Sequence, residues 1–182
     1  MALNQRDRRF LARAVDLAET ALEAGDEPFG SVLVGPDETV LFEDHNHVAG
    51  GDQTRHPEFA IARWAAEHLS VEQRAAAVVY TSGEHCPMCA AAHGWVGLGR
   101  IVYATSSAQL RGWAAELGLP APPVAALPIT EVVPGASVAG PDAALAERVR
   151  ELQARWAQRA QQATRDRPAP SAPIEERGNP AE

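Results

Sequence analysis

The sequence predicts an α/β protein, a three-layer α/β/α sandwich built around a five-stranded mixed sheet. Short apolar segments of strand type alternate with longer segments of helix type, and a hairpin precedes this alternation. At 182 residues the chain has the length of one domain, and its 46% hydrophobic content is enough to fill a core. We therefore expect one domain over residues 1–163. The Pro-rich, charged tail over residues 164–182 is expected to be disordered.

The order of elements begins with a helix, a hairpin and a second helix. Asn4 is a suitable N-cap for a helix that carries an apolar face, and Gly25 ends that helix. Pro36 and Asp37 form the turn of the hairpin. Pro57 suits the first position of the next helix. The predicted ranges are 4–24 for the first helix, 31–35 and 39–43 for the hairpin strands, and 57–69 for the second helix.

Strands and helices alternate in the second half of the chain. The segment 77–82 is continuously apolar, which is typical of a strand that is buried on both faces. Cys86 opens the next helix, and Asp142 begins the last one. We expect the third, fourth and fifth strands to be parallel and joined by right-handed crossovers. The predicted ranges are 77–82, 100–105 and 129–133 for strands, and 86–98, 106–117 and 141–163 for helices.

Composition excludes several classes of function. The chain has 16 basic and 24 acidic residues, a formal charge of −8, which opposes sequence-independent binding to nucleic acid or to an anionic membrane. Every basic residue is Arg, so Schiff-base or Walker A chemistry, which needs Lys, is excluded. We find neither a signal-peptide stretch nor a segment of membrane-span length, and two cysteines are too few for a disulfide framework. We therefore expect a cytoplasmic protein without a membrane partner.

Two short motifs, about thirty residues apart, carry the chemistry. His56 and Glu58 belong to His-Pro-Glu, whereas Cys86 and Cys89 belong to Cys-Pro-Met-Cys, and each motif starts a predicted helix. A helix N-terminus stabilises thiolates, the form in which cysteine binds metal. One imidazole and two thiolates would give a tetrahedral Zn²⁺ three ligands and leave the fourth position for water, which is the catalytic arrangement. Glu58 is near enough in sequence to exchange a proton with that water. This pair of motifs is the signature of zinc deaminases that act on nucleobases.

Further motifs accompany these two in a fixed order. They are Pro28-Phe29-Gly30, Asn46, Asp52 and Thr54 before His56, Tyr80-Thr81-Ser82, and Trp95. With this set the chain resembles the cytidine deaminase-like superfamily over about residues 8–160. The resemblance is strongest to the branch that contains bacterial guanine deaminase, fungal cytosine deaminase and tRNA adenosine deaminase. It implies zinc bound by His56, Cys86 and Cys89, and proton transfer by Glu58.

The resemblance also implies how a substrate would be held. Asn46 would hydrogen-bond the base, and Phe29 and Trp95 would line the pocket. Two departures from the family pattern stand out: Pro57 replaces the usual Ala between His and Glu, and His85 replaces the Pro expected before the first Cys. The first turn of a helix tolerates Pro57. His85 would lie near the exocyclic group of the substrate and could alter specificity.

The sequence thus predicts that residues 1–163 form a zinc-dependent deaminase domain. Its expected reaction consumes water and releases ammonia from a free nucleobase or a related aminated heterocycle. We rank guanine first, followed by cytosine and by amino-triazines or pterins. The acidic composition disfavours a polynucleotide substrate. A homodimer is suggested by the resemblance and by the helices that carry Trp residues.

Three other interpretations stay open at this point. The first is a tRNA adenosine deaminase. The second is a non-catalytic binding module with a structural zinc, whose fourth ligand would be supplied by His45, His47, His85 or His93. The third is a thioredoxin-like redox pair at the two cysteines, an interpretation that leaves His56 and Glu58 without a role.

Overall fold

Five strands, seven α-helices and one 3₁₀ turn make up residues 3–166, the part of the chain that the computed structural model describes. In chain order the elements are α1 (Gln5–Ala24), β1 (Gly30–Val34), β2 (Val40–His45), the 3₁₀ turn (Val48–Gly50), α2 (Pro57–His68), α3 (Val71–Ala76), β3 (Val78–Gly83), α4 (Pro87–Val96), β4 (Arg100–Thr105), α5 (Ser107–Glu116), α6 (Ile129–Val132), β5 (Val138–Ala139) and α7 (Ala143–Arg165).

The five strands form one mixed sheet in the order β2-β1-β3-β4-β5. β1 pairs antiparallel with both β2 and β3, whereas β3, β4 and β5 are mutually parallel along the sheet. The predicted mixed sheet is confirmed, and so is the parallel arrangement of its last three strands.

Alternate residues of the strands face two different helical layers. Val32 and Tyr80 pack with α1 and α7 on one side of the sheet. Leu33 and Val79 pack with α2 on the other side, and α4 and α6 extend that layer. This division follows from the two-residue period of a strand, and it confirms the α/β/α sandwich.

The ends of α1 are fixed by the residues that the sequence identifies. Asn4 accepts a hydrogen bond from the Asp7 amide, and the Asp7 carboxylate accepts one from the Asn4 amide in return. Gly25 ends the helix in the left-handed conformation, with φ of 94°, which a residue with a side chain rarely adopts.

The predicted strand over residues 129–133 is wrong, because this segment begins with the short helix α6. The Ile129 amide donates to Glu84 Oε1 at 3.0 Å, and the Val133 amide donates to the Ile129 carbonyl at 2.7 Å. The fifth strand lies a few residues later and is only two residues long. The helix α3 was not predicted from the sequence, although Ser70 and Gln73 form the capping box that marks its start.

The last helix is slightly longer than predicted, since α7 continues to Arg165 and so includes the first residues of the expected tail. The remainder of that tail, residues 167–182, lies outside the described residues. No helix within residues 3–166 combines the length and the apolar character needed to cross a membrane.

Candidate metal centre

The N-termini of α2 and α4 lie side by side and bring the two sequence motifs together. His56 is the N-cap residue of α2, and Cys86 is the N-cap residue of α4. Pro57 and Pro87 occupy the first helical positions, where a missing amide hydrogen costs nothing. The side chains of His56, Cys86 and Cys89 therefore meet at one point beside the sheet.

The spacing of the three side chains fits a zinc ion. His56 Nδ1 lies 3.6 Å from Cys86 Sγ and 3.6 Å from Cys89 Sγ. Ordinary zinc–nitrogen and zinc–sulfur bond lengths place nitrogen and sulfur ligands about 3.6 Å apart in a tetrahedral site. The potential ligand atoms lie within 4.8 Å of one another, and no fourth residue joins this group among residues 3–166.

The electrostatics of the cluster favour a thiolate at Cys86. A hydrogen bond from the Cys89 thiol and the neighbouring His56 ring lower the pKa of Cys86 to about 4. The same bond to Cys86, together with burial, raises the pKa of Cys89. The pKa of His56 is raised because its ring hydrogen-bonds to Cys86. One sulfur is thus ready to bind a cation, and binding at Cys89 and His56 would release protons.

Glu58 lies in the first turn of α2 with only 6% of its surface exposed. Its Oε1 accepts hydrogen bonds from Ser31 Oγ at 2.9 Å and from Thr81 Oγ1 at 2.8 Å. Burial raises the pKa of this carboxyl group. Glu58 follows His56 by two residues at the N-terminus of α2, and its charge adds to the rise in the pKa of Cys89. Both hydroxyls hold Oε1, and Oε2 is not needed to fix the side chain.

The side-chain amide of Asn46 is buried and has no hydrogen-bond partner among residues 3–166. Its side chain is 1% exposed, and neither Oδ1 nor Nδ2 has a hydrogen-bond partner. A buried amide without partners costs free energy, so these atoms are suited to bind a ligand. The Asn46 backbone amide donates to the Phe29 carbonyl at 3.0 Å, which places the two predicted pocket residues together. The Phe29 ring lies against Gly83 at the end of β3.

The structure does not bring Trp95 to this site, contrary to the sequence-based expectation. The residue lies in the last turn of α4, about 12 Å along the helix from Pro87. Its side chain is 90% exposed. His85 does adjoin the cluster in sequence, but its ring is enclosed and stacks edge-on against His93, with 5.3 Å between ring centroids. Burial holds the pKa of His85 well below its ordinary range, so this ring is neutral.

The other histidines proposed as a fourth ligand are occupied elsewhere. His93 Nε2 lies 2.9 Å from the Gly99 carbonyl, to which it donates. His45 and His47 group with Asp44 instead of with the cysteines. The histidine-and-cysteine group is therefore compatible with an open fourth position rather than with a closed structural site.

The sequence motifs assign no role to three residues near the site. Ser31 and Thr81, which hold Glu58, could have been suspected because Ser31 is a polar residue in the otherwise apolar β1 and Thr81 belongs to the Tyr-Thr-Ser motif. Glu27 is half-buried, and its pKa is raised by burial while the nearby His56 opposes that rise. Nothing in the sequence signals the position of Glu27, apart from its place beside the Pro-Phe-Gly motif.

A comparison with known families fits this geometry. Residues 4–105 match the family described as the cytidine and deoxycytidylate deaminase zinc-binding region. The chain belongs to the cytidine and deoxycytidylate deaminase family. The cofactor of that family is Zn²⁺, and the histidine-and-cysteine group of this chain suits that ion. The resemblance seen in the sequence is thereby confirmed.

The chain is similar to several proteins of the deaminase family, and their names state different substrates. The chain is 30% identical over 109 residues to a probable cytosine deaminase of Schizosaccharomyces pombe, a match that covers 59% of this chain and 65% of that protein. It is 38% identical over 111 residues to the guanine deaminase of Bacillus subtilis, covering 60% and 68%. A tRNA-specific adenosine deaminase of Agrobacterium fabrum is 32% identical over 110 residues, covering 60% and 71%.

The fold agrees with that of a solved family structure. The guanine deaminase structure from Bacillus subtilis is similar with a TM-score of 0.52 at 35% identity, covering 64% of this chain and 71% of that one. The matched region spans slightly less than two thirds of the probable cytosine deaminase.

Proposed function

We propose that the chain is a hydrolytic deaminase that uses zinc to act on a free nucleobase or a related aminated heterocycle. Guanine is the first candidate, followed by cytosine and by amino-triazines or pterins. The proposal rests on one observation above all, which is that a buried carboxyl group, Glu58, lies beside the group of His56, Cys86 and Cys89. That combination serves proton transfer next to a metal.

His56, Cys86 and Cys89 would hold the zinc ion. When bound there, the ion would supply a water-derived nucleophile at neutral pH. Their spacing supports this assignment, and the low pKa of Cys86 provides one anionic ligand before any metal binds.

Glu58 would carry the protons of the reaction. Its raised pKa brings the carboxyl group closer to neutral pH, where it can both accept and return a proton. We assign Oε2 this task, because Ser31 and Thr81 already hold Oε1. Glu58 would accept one proton from water and pass it to a ring nitrogen of the substrate as the water oxygen adds to the amine-bearing carbon. It would then take the remaining proton of the added hydroxyl and give it to the departing amine, so that the C–N bond breaks and ammonia leaves.

Asn46 would orient the substrate. Its two unpartnered atoms offer one acceptor and one donor group, which match a heterocycle edge that presents both N–H and an acceptor. Phe29, which Asn46 contacts through the backbone, would form a wall of the pocket. The rank of guanine is supported by the relative with 38% identity, the guanine deaminase.

The decisive experiment measures ammonia release from purines, pyrimidines, triazines, pterins and tRNA. With the preferred substrate, Glu58→Gln should lower turnover by about a thousandfold while zinc content stays unchanged. Glu67→Gln, an exposed residue on the same helix, is the matched control and should retain full activity. Near-normal turnover of Glu58→Gln would refute the assignment of this residue.

A tRNA adenosine deaminase is the second candidate, favoured by the Agrobacterium fabrum relative. Ammonia release from tRNA alone would replace the free-base proposal with this one. The homodimer expected from the sequence stays a prediction, which light scattering on the purified chain would decide.

A further inference from the structure

A second group of potential metal ligands lies at the end of β2 and shares no residue with the first. It consists of Asp44, His45 and His47, whose ligand atoms lie within 4.8 Å of one another. His47 Nε2 lies 2.9 Å from Asp44 Oδ1, and His45 Nδ1 lies 3.6 Å from the same oxygen. The two imidazole rings meet edge-on, with 4.2 Å between their centroids.

The spacing and the chemistry of this group suit a first-row transition metal. Bonds of 2.0–2.2 Å place nitrogen and oxygen ligands about 3.3 Å apart in a tetrahedral site, between the two separations to Asp44 Oδ1. Two imidazoles and one carboxylate favour Zn²⁺, Co²⁺, Ni²⁺ or Cu²⁺ over Mg²⁺ and Ca²⁺, which prefer oxygen ligands. The His45 backbone amide donates to Asp44 Oδ1 at 2.9 Å and so helps to orient the carboxylate before any ion binds.

The surroundings leave room for an ion and for further ligands. The three side chains are between 21% and 33% exposed, so an ion could enter and keep water in its open positions. Asp44 and His47 also line a cavity of about 260 Å³ that reaches His56. Asn46, the proposed substrate ligand, lies between the two histidines in the chain.

We infer that Asp44, His45 and His47 form a second site for a divalent transition metal, at the edge of the candidate catalytic centre. The site binds more weakly than the cysteine site because it has no thiolate and is open to water. Two of the ligands are imidazoles and one is a carboxylate, so a bound divalent ion keeps a net positive charge beside the cavity. This inference does not depend on the proposed reaction, since it concerns metal binding alone.

The test uses zinc-loaded protein and Co²⁺ as the probe. Calorimetry and visible spectroscopy should reveal one added equivalent of Co²⁺ with a d–d band but without sulfur-to-cobalt charge transfer, while the zinc content stays constant. Asp44→Asn and His47→Gln should each weaken this binding at least about tenfold. His68→Gln is the matched control, since His68 is an exposed histidine at the end of α2 that bonds only to its own helix.

Three results would overturn the inference. The first is zinc-loaded wild-type protein that binds no added Co²⁺, which would mean that the cluster is an Asp–His hydrogen-bonded pair without a metal. The second is equal binding by the wild type and by both variants, or an equal loss in His68→Gln. The third is a sulfur charge-transfer band accompanied by zinc release, which would place the added ion at the cysteines.

Discussion

Two hydroxyl groups determine how Glu58 is presented to the centre. Ser31 Oγ and Thr81 Oγ1 lie 2.9 Å apart, and each can donate to Glu58 Oε1. Thr81 Oγ1 also lies 2.8 Å from the Gly83 carbonyl, so its single hydrogen has two acceptors within reach. The hydroxyls can therefore turn toward an ionised carboxylate or away from a protonated one. This freedom suits a residue that gains and loses a proton.

The unequal acidities of the two cysteines give a prediction for metal-free protein. At about pH 6, Cys86 is a thiolate because its pKa is about 4, whereas Cys89 is protonated and fully buried. Iodoacetamide should therefore alkylate Cys86 well before Cys89, and peptide mass spectrometry would measure both rates. Zinc added beforehand should suppress the labelling. Equal labelling of the two cysteines would contradict the charge distribution described for the cluster.

The residues of the candidate site were predictable to different degrees. His56 with Glu58, and Cys86 with Cys89, lie in two short motifs at helix N-termini, so local spacing pairs the residues within each motif. The known combination of the two motifs in zinc deaminases, and not local spacing, joins one motif to the other. Trp95 follows Cys89 by six residues, and at 100° per residue the two side chains point about 120° apart around the helix. The contacts of Ser31 and Thr81 with Glu58 join residues that are far apart in the chain, and local patterns do not reveal them.

The elements were predictable where their signals are local. The capping residue Asn4 and Gly25 mark α1 correctly, and the apolar segments mark β3 and β4. The segment of α6 contains β-branched residues that favour a strand, yet Glu84, 45 residues away, accepts its first amide hydrogen. Tertiary contact therefore overrides local propensity there.

Close packing of α1 on β1 requires a residue without a side chain at Gly30. A Cβ atom at this position would lie 2.5 Å from the Ala14 carbonyl oxygen and 2.5 Å from Leu17 Cβ. Gly30→Ala should therefore lower the free energy of unfolding by about 1–3 kcal/mol, measured by urea denaturation. Gly112→Ala in α5 is the control: its Cβ would meet nothing within 4 Å, and it should stabilise the protein by about 0.5–1 kcal/mol. A Gly30→Ala protein as stable as the wild type would show that α1 can shift away from β1 at little cost in free energy.

At the scale of the molecule, a partly buried ion pair joins the first helix to the sheet. Asp7 in α1 is 1% exposed and accepts two hydrogen bonds from Arg100 in β4, at 3.0 and 3.1 Å. The Tyr80 hydroxyl in β3 donates to the same carboxylate at 3.2 Å. Burial alone would raise the pKa of Asp7, but the hydrogen bonds that its carboxylate accepts, above all those from Arg100, hold the pKa below the ordinary value.

This ion pair predicts how stability depends on pH. Because the pKa of Asp7 is lower in the folded state, its contribution is complete above the unfolded pKa of about 3.9 and is lost as the pH falls through the folded value. At neutral pH, Asp7→Asn should unfold with about 3 kcal/mol less free energy than the wild type. Urea denaturation at a series of pH values should show this difference shrinking below about pH 4. A difference that stays constant down to the acid transition would mean that Asp7 acts through packing rather than through charge.

The acidic charge of the chain is the basis of our expectation that the substrate is a free base rather than tRNA. The formal charge is −8, and several arginines on the surface are paired with acidic side chains, among them Arg9 with Glu38 and Arg148 with Asp16. Such pairing leaves less positive charge to meet phosphates, so contacts with a polyanion should be few. We expect fluorescence anisotropy with labelled tRNA to show no saturation below about 10 μM protein at about 150 mM salt. Turnover of the free base should change little with salt, because no phosphate contact has to form. Tight tRNA binding that weakens steeply with added salt would contradict this expectation and favour the tRNA deaminase instead.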